Sequence, residues 1–121
     1  MKLNNTLYTV TATEPTAKGT DCHIRLNPEC VIYKAHFPEQ PVTPGVCIVG
    51  IAHELAEAVM QRPLEVRLVK NVKFLSVISP LEVQDIVYSL SCKDDADGTL
   101  KLQATVSAGD NTYAKMSMVL S

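Results

Sequence analysis

His36 is a side chain able to move a proton near neutral pH, carried on a loop stiff enough to aim it. It stands in the run Tyr33-Lys-Ala-His-Phe-Pro-Glu-Gln-Pro-Val-Thr-Pro-Gly-Val46. Pro38, Pro41 and Pro44 fix φ at three positions and bias the residue before each toward extended geometry. Such a loop loses little entropy on ordering. It runs straight into an apolar helical pattern that begins near Gly45. A helix start offers unpaired backbone N–H groups and a partial positive charge. An imidazole beside those donors suits removal of a proton next to a carbonyl, with the N–H groups taking the charge that develops on oxygen. A rigid connector carrying a surface histidine is the other reading of the same residues. Further along the helix Cys47, Gly50 and Glu54 share a face and His53 lies close to it, so a partner for His36 is sought there.

The elements that must position these groups follow from the hydrophobic pattern. Thr43-Pro44 fits an N-cap followed by proline at the first helical position. From Gly45 to about Gln61 apolar residues leave few polar positions, which predicts a buried helix wrapped by sheet. Arg62-Pro63 ends it. Leu7–Thr13 and Cys22–Leu26 alternate as strands do, with a connection through Pro15 and Gly19 between them. Beyond Pro63 the chain reads as β structure: Leu64–Ser76, Leu81–Ser91, Thr99–Ser107 and Asn111–Leu120. Ser79-Pro80, Lys93–Gly98 and Ala108-Gly109-Asp110 supply the turns. The carboxylates of Lys93–Gly98 lack the ligand spacing of a calcium loop, so a hairpin turn is expected there and no metal. One helix followed by long antiparallel strands is an α+β arrangement, and 121 residues fit one domain over 1–121.

Composition narrows the function classes. Apolar residues are 46% and charged residues 20%, an ordinary globular balance. A net charge of −2 gives no electrostatic case for nucleic acid. Lys and Arg are scattered apart from the mild series Arg67, Lys70 and Lys73, which reads as the solvated face of a strand, or as a contact for an acidic carrier protein. No apolar run is long enough to insert in a membrane. Cys22, Cys30, Cys47 and Cys92 match no zinc spacing, and no apolar leader precedes them, which predicts reduced thiols and a cytoplasmic protein.

The run through His36, Phe37, Pro38, Pro41, Val42, Pro44, Gly45 and Val46 resembles the His-Phe-Pro-x-x-Pro-Val-x-Pro-Gly-Val pattern of 3-hydroxyacyl-acyl-carrier-protein dehydratases of the FabZ and FabA type. A weaker similarity continues through Asn71-Val-Lys-Phe74 and Val77-Ile-Ser-Pro80. The resemblance implies a hotdog fold, a long antiparallel sheet around one buried helix, assembled as a homodimer or a higher oligomer of dimers. It implies loss of water from a 3-hydroxyacyl thioester to give the 2-enoyl thioester, in fatty-acid or related acyl-chain synthesis. The acyl group would ride on the phosphopantetheine of an acyl-carrier protein or on CoA, with no further cofactor. By position, His36 is the base, the N–H of Gly45 or Val46 polarises the thioester carbonyl, and Val42 orients the histidine. Phe37, Pro44, Cys47, Gly50 and His53 would line the pocket. The family's acidic partner falls fourteen residues after the histidine, where this chain has Gly50. Glu54, one turn on, or a held water is the remaining candidate for the acid. A non-catalytic acyl- or carrier-binding subunit paired with an active dehydratase is the alternative, with an acyl thioesterase using Glu54 ranked behind it.

Overall fold

The computed structural model describes residues 2–35 and 39–121, so His36, Phe37 and Pro38 lie outside the described residues. Eight elements follow in order: β1 Tyr8–Pro15, β2 Thr20–Leu26, α1 Val31–Ala35, α2 Gly45–Met60, β3 Val66–Phe74, β4 Asp85–Asp94, β5 Leu100–Ala108 and β6 Asn111–Leu120. The strands form one sheet in the order β1-β2-β4-β5-β6-β3, and each neighbouring pair is antiparallel. The chain therefore leaves β2 near one edge, passes through α2, and re-enters the sheet at the opposite edge as β3. This is the α+β arrangement expected from the pattern of elements, and it agrees with the hotdog fold that the resemblance implies. No helix among the described residues is long and apolar enough to cross a membrane.

Period-two alternation on the central strands builds the core. Ile86, Tyr88 and Leu90 of β4, Leu100, Leu102, Ala104 and Val106 of β5, and Ala114, Met116, Met118 and Leu120 of β6 are all buried. Against them α2 sets Cys47, Ile48, Ile51, Ala52, Leu55 and Ala56, a stripe of i, i+4 pairs. The sheet thus covers this stripe of the helix, and the other faces of α2 are left to other segments. Val46, on another face, is 80% exposed. The remaining turns of that face meet the segment before β1 and the connection to β3, described below.

Three local expectations need correction. The helix begins one residue later than predicted: Pro44, at φ −61° and ψ 145°, is the cap, and no side chain caps it. The stretch before His36 is not all loop, because Asn27-Pro-Glu-Cys winds into the five-residue α1, too short for periodicity to reveal. And β4 starts at Asp85, not Leu81, since Glu82 and Val83 N–H both turn back onto the Ser79 carbonyl (3.1 and 2.9 Å).

β3 is an edge strand, and its register against β6 shifts between Val66 and Leu68 and again between Val69 and Asn71. The second of these irregularities lies between the stretches Val66/Leu68 and Val72/Phe74. The strand is mostly exposed, with Leu68 and Phe74 about half so.

Ionisable groups inside the core set an alkaline limit. Burial pushes the Tyr33 hydroxyl up to about 12 and the Cys22 thiol up to about 11, and raises Tyr88 well above its usual value. A group whose proton is held more tightly when folded contributes fully below its unfolded value and loses that contribution as pH rises through the folded one. Stability should therefore hold to about pH 9 and fall between there and about pH 12, with Cys22 first and Tyr33 after it. Denaturant midpoints taken across that range check this; a flat profile would contradict it.

Candidate active site

The start of α2 is chemically open. The Pro44 carbonyl accepts from Cys47 N–H (2.9 Å) and Ile48 N–H (3.1 Å), which closes the first turn. Among the described residues, the N–H groups of Gly45 and Val46 have no acceptor. Thr43 does not cap them. A threonine at the cap position would turn its hydroxyl onto them, but Thr43 is buried, its Oγ1 lies 2.9 Å from the Tyr33 hydroxyl, and its N–H donates to the Ile78 carbonyl (2.8 Å). The Tyr33–Thr43 contact also ties together the two flanks of the stretch that carries His36.

Beside these N–H groups lies an open apolar groove of about 430 Å³, lined by Val42, Thr43, Gly45, Ile48 and the segment Phe74–Ile78. Phe74 closes over Gly45 so tightly that a Cβ there would sit 2.9 Å from the ring's Cζ. Glycine at 45 is therefore a requirement of the ring above it. Alanine at 45 should push the Phe74 ring out of the groove and lower affinity for an acyl thioester about tenfold, read by titration with a non-hydrolysable analogue. Unchanged affinity would remove Phe74 from the site.

The side chains sought as partners of His36 are placed differently from one another. Cys47 points into the core, 8% exposed, and burial raises its thiol, so it is neither nucleophile nor groove wall. His53 Nε2 lies 2.5 Å from the Leu64 carbonyl, while Glu57 accepts from Leu64 N–H (2.8 Å). One helical turn thus grips both backbone groups of Leu64, and His53 serves the α2–β3 connection, away from the groove. Pro44 caps the helix and Val42 lines the groove.

Glu54 is fully engaged. It accepts from Leu3 N–H (2.7 Å), Asn4 N–H (2.9 Å) and the Tyr8 hydroxyl (2.9 Å). All three partners donate, so both carboxylate oxygens are engaged by the segment around β1 and neither lines the groove. Gly50, one turn earlier, faces Leu3: a Cβ at 50 would come within 3.0 Å of Leu3 Cδ1. The segment 2–7 therefore occupies the helix face on which an acid was sought. Sequence reasoning missed Leu3 and Tyr8, since nothing in Lys2-Leu-Asn-Asn5 shows periodicity. The one available signal is Glu54 itself, a carboxylate on an apolar helix that must find donors. No group of three metal-ligating side chains occurs among the described residues.

A family model described as the ApeI-like ApeI dehydratase matches residues 12–116. The chain belongs to the ApeI-like dehydratase family. The match takes in the His36 motif, Gly50 and Glu54, while segment 2–7 precedes it. Among solved structures, the chain is similar to the dehydratase heterocomplex ApeI:P from Xenorhabdus doucetiae, with 20% identity, TM-score 0.67, and 92% of this chain and 95% of that one covered. An uncharacterised protein from Erwinia carotovora subsp. atroseptica has 20% identity and TM-score 0.58 over 90% and 89% of the two chains. A protein of the thioesterase superfamily has 16% identity and TM-score 0.66 over 93% and 82%. At these identities the structures share the fold. No curated protein matches the sequence.

Proposed function

We propose that this ApeI-like chain is a dehydratase subunit that eliminates water from a 3-hydroxyacyl thioester. The observation that carries the reading is the pair of N–H groups at Gly45 and Val46, without an acceptor among the described residues, beside an apolar groove and following the sequence motif that bears His36. In this reading the thioester oxygen rests against those donors and His36 removes a proton from C2. The charge moves onto the oxygen that the helix start stabilises. The C3–O bond then breaks, the departing hydroxyl is protonated and leaves as water, and the 2-enoyl thioester remains. The acyl chain lies along the Val42, Ile48 and Phe74 side of the groove, with its thioester on acyl-carrier protein or CoA.

The proton for the leaving hydroxyl comes from a held water or from a second subunit. Glu54 is occupied and Gly50 has no side chain, so α2 has no free acid at either position. Val46, Phe74, Leu75 and Val77 leave an apolar surface around the groove that a second subunit would cover, either a copy of this chain or an active dehydratase. The ApeI:P structure is a heterocomplex, which favours the second.

Incubation with a 3-hydroxyacyl thioester, following enoyl absorbance and free thiol together, tests this. Enoyl product is expected, either from the chain alone or after addition of a co-expressed second hotdog subunit. Free thiol without enoyl would make the protein a thioesterase and overturn the reading. So would the absence of both signals in both arms.

A further inference from the structure

Glycine at 50 and glutamate at 54 are one helical turn apart, and both meet the same segment, residues 2–7. That segment is held at several points. Glu54 receives Leu3 N–H, Asn4 N–H and the Tyr8 hydroxyl. The Leu3 carbonyl accepts from Thr6 N–H (3.1 Å), Leu7 N–H (2.8 Å) and Thr6 Oγ1 (2.9 Å), which winds the segment into a turn. Asn27 ties its far end, donating from Nδ2 to the Thr6 carbonyl (3.0 Å) and from N–H to the Leu7 carbonyl (2.8 Å). Leu7 is fully buried and Leu3 is 6% exposed, so both leucines are pressed into the protein.

We propose that residues 2–7 are a plug that closes α2 at position 50, with Glu54 as the latch and Leu3 as the filling side chain. Ordinary contact begins near 3.4 Å, and a Cβ at 50 would lie 3.0 Å from Leu3 Cδ1, so any side chain there competes with Leu3 for one space. The glycine, the glutamate and the leucine are thus a matched set. Glu54 is a positioning residue that acts through Leu3, and the helix wall at Gly50 is partly covered by the Leu3 side chain. What this wall borders rests on the dehydratase reading; the plug itself does not. Under that reading, an acidic side chain introduced at position 50 would have to displace Leu3.

The plug predicts a reversal of sign. In an open helical site, glycine to alanine stabilises, and for a chain of this size the gain is a rise in Tm of about 3–5 °C. Gly50→Ala alone should show no rise or a fall, whereas Gly50→Ala on a Leu3→Ala background should show the rise relative to Leu3→Ala. Hydrogen exchange gives an independent readout. Gly50→Glu should speed exchange of the Leu3 and Asn4 amides at least tenfold and leave the β5 amides unchanged. Glu54→Gln should speed the same two amides by a smaller factor. Equal rises from Gly50→Ala in both backgrounds, with Leu3 and Asn4 still protected in Gly50→Glu, would overturn the plug. An enoyl assay on Gly50→Glu, with and without Leu3→Gly, addresses the reading separately. More enoyl only when Leu3 is shortened supports both; equal enoyl with and without Leu3→Gly counts against the plug. Lack of enoyl in every variant, with and without the second subunit, counts against the dehydratase while leaving the exchange result to decide the plug.

Discussion

Alanine in place of His36 should lower 2-enoyl formation by about 10²–10⁴-fold, the loss that follows removal of a general base. The effect should fall on turnover far more than on substrate affinity. The donors at Gly45 and Val46 and the groove that holds the acyl chain remain in place, so binding survives when proton removal does not. Separate measurement of kcat and KM on a 3-hydroxyacyl thioester, with the second subunit present if one is required, makes the distinction. An unchanged kcat would mean that the histidine of this motif is not the base, and the assignment of the helix start as the thioester site would go with it.

Alanine in place of Glu54 should destabilise the fold by about 1–3 kcal/mol, because it leaves the Tyr8 hydroxyl and the part-buried Leu3 amide without an acceptor, while the exposed Asn4 amide turns to water. Tyr8 is 1% exposed, and its proton is held tightly by burial and by the neighbouring carboxylate. Glutamine keeps one acceptor oxygen and should cost roughly half as much. Denaturant unfolding of both variants gives these differences. Kinetics on the same proteins separates a latch from an acid. If Glu54 holds segment 2–7, Glu54→Gln keeps most of the enoyl rate and loses stability. An acid would show the reverse, with stability nearly intact and the rate lost, and that pattern would restore Glu54 to the chemistry.

Much of the architecture was legible because it rests on short-range periodicity. β5 and β6 alternate cleanly since one face of each lies on the core, and Gly109 at φ 58° marks the turn between them. The helix was legible from its apolar content, but its surroundings were not. Composition cannot distinguish a helix enclosed by sheet from one covered on one side by sheet and on another by a distant segment. The Thr43 cap was misplaced for a related reason: a hydroxyl next to a helix start has a local partner in the backbone, yet Tyr33, ten residues away, offered a buried one. The meaning of Gly50 and Glu54 depended on residues about fifty positions earlier in the chain, and no local pattern carries information over that distance. A polar group on an apolar helix announces that it has partners without saying which.

The irregular edge strand β3 bears on open-ended strand addition between chains. A flat apolar strand with its outer hydrogen-bonding groups free is a template onto which other chains add without limit. β3 is apolar enough to be such a template, with Val66, Leu68, Val69 and Phe74 all partly exposed. Its two register shifts break the row of evenly spaced donors and acceptors, and Arg67, Lys70 and Lys73 place positive charge along the same strand. Two such edges brought together at random would meet out of step and like charge to like. Bulges and cations together let the chain keep an apolar edge available to a partner of fitted shape while resisting fibrous growth.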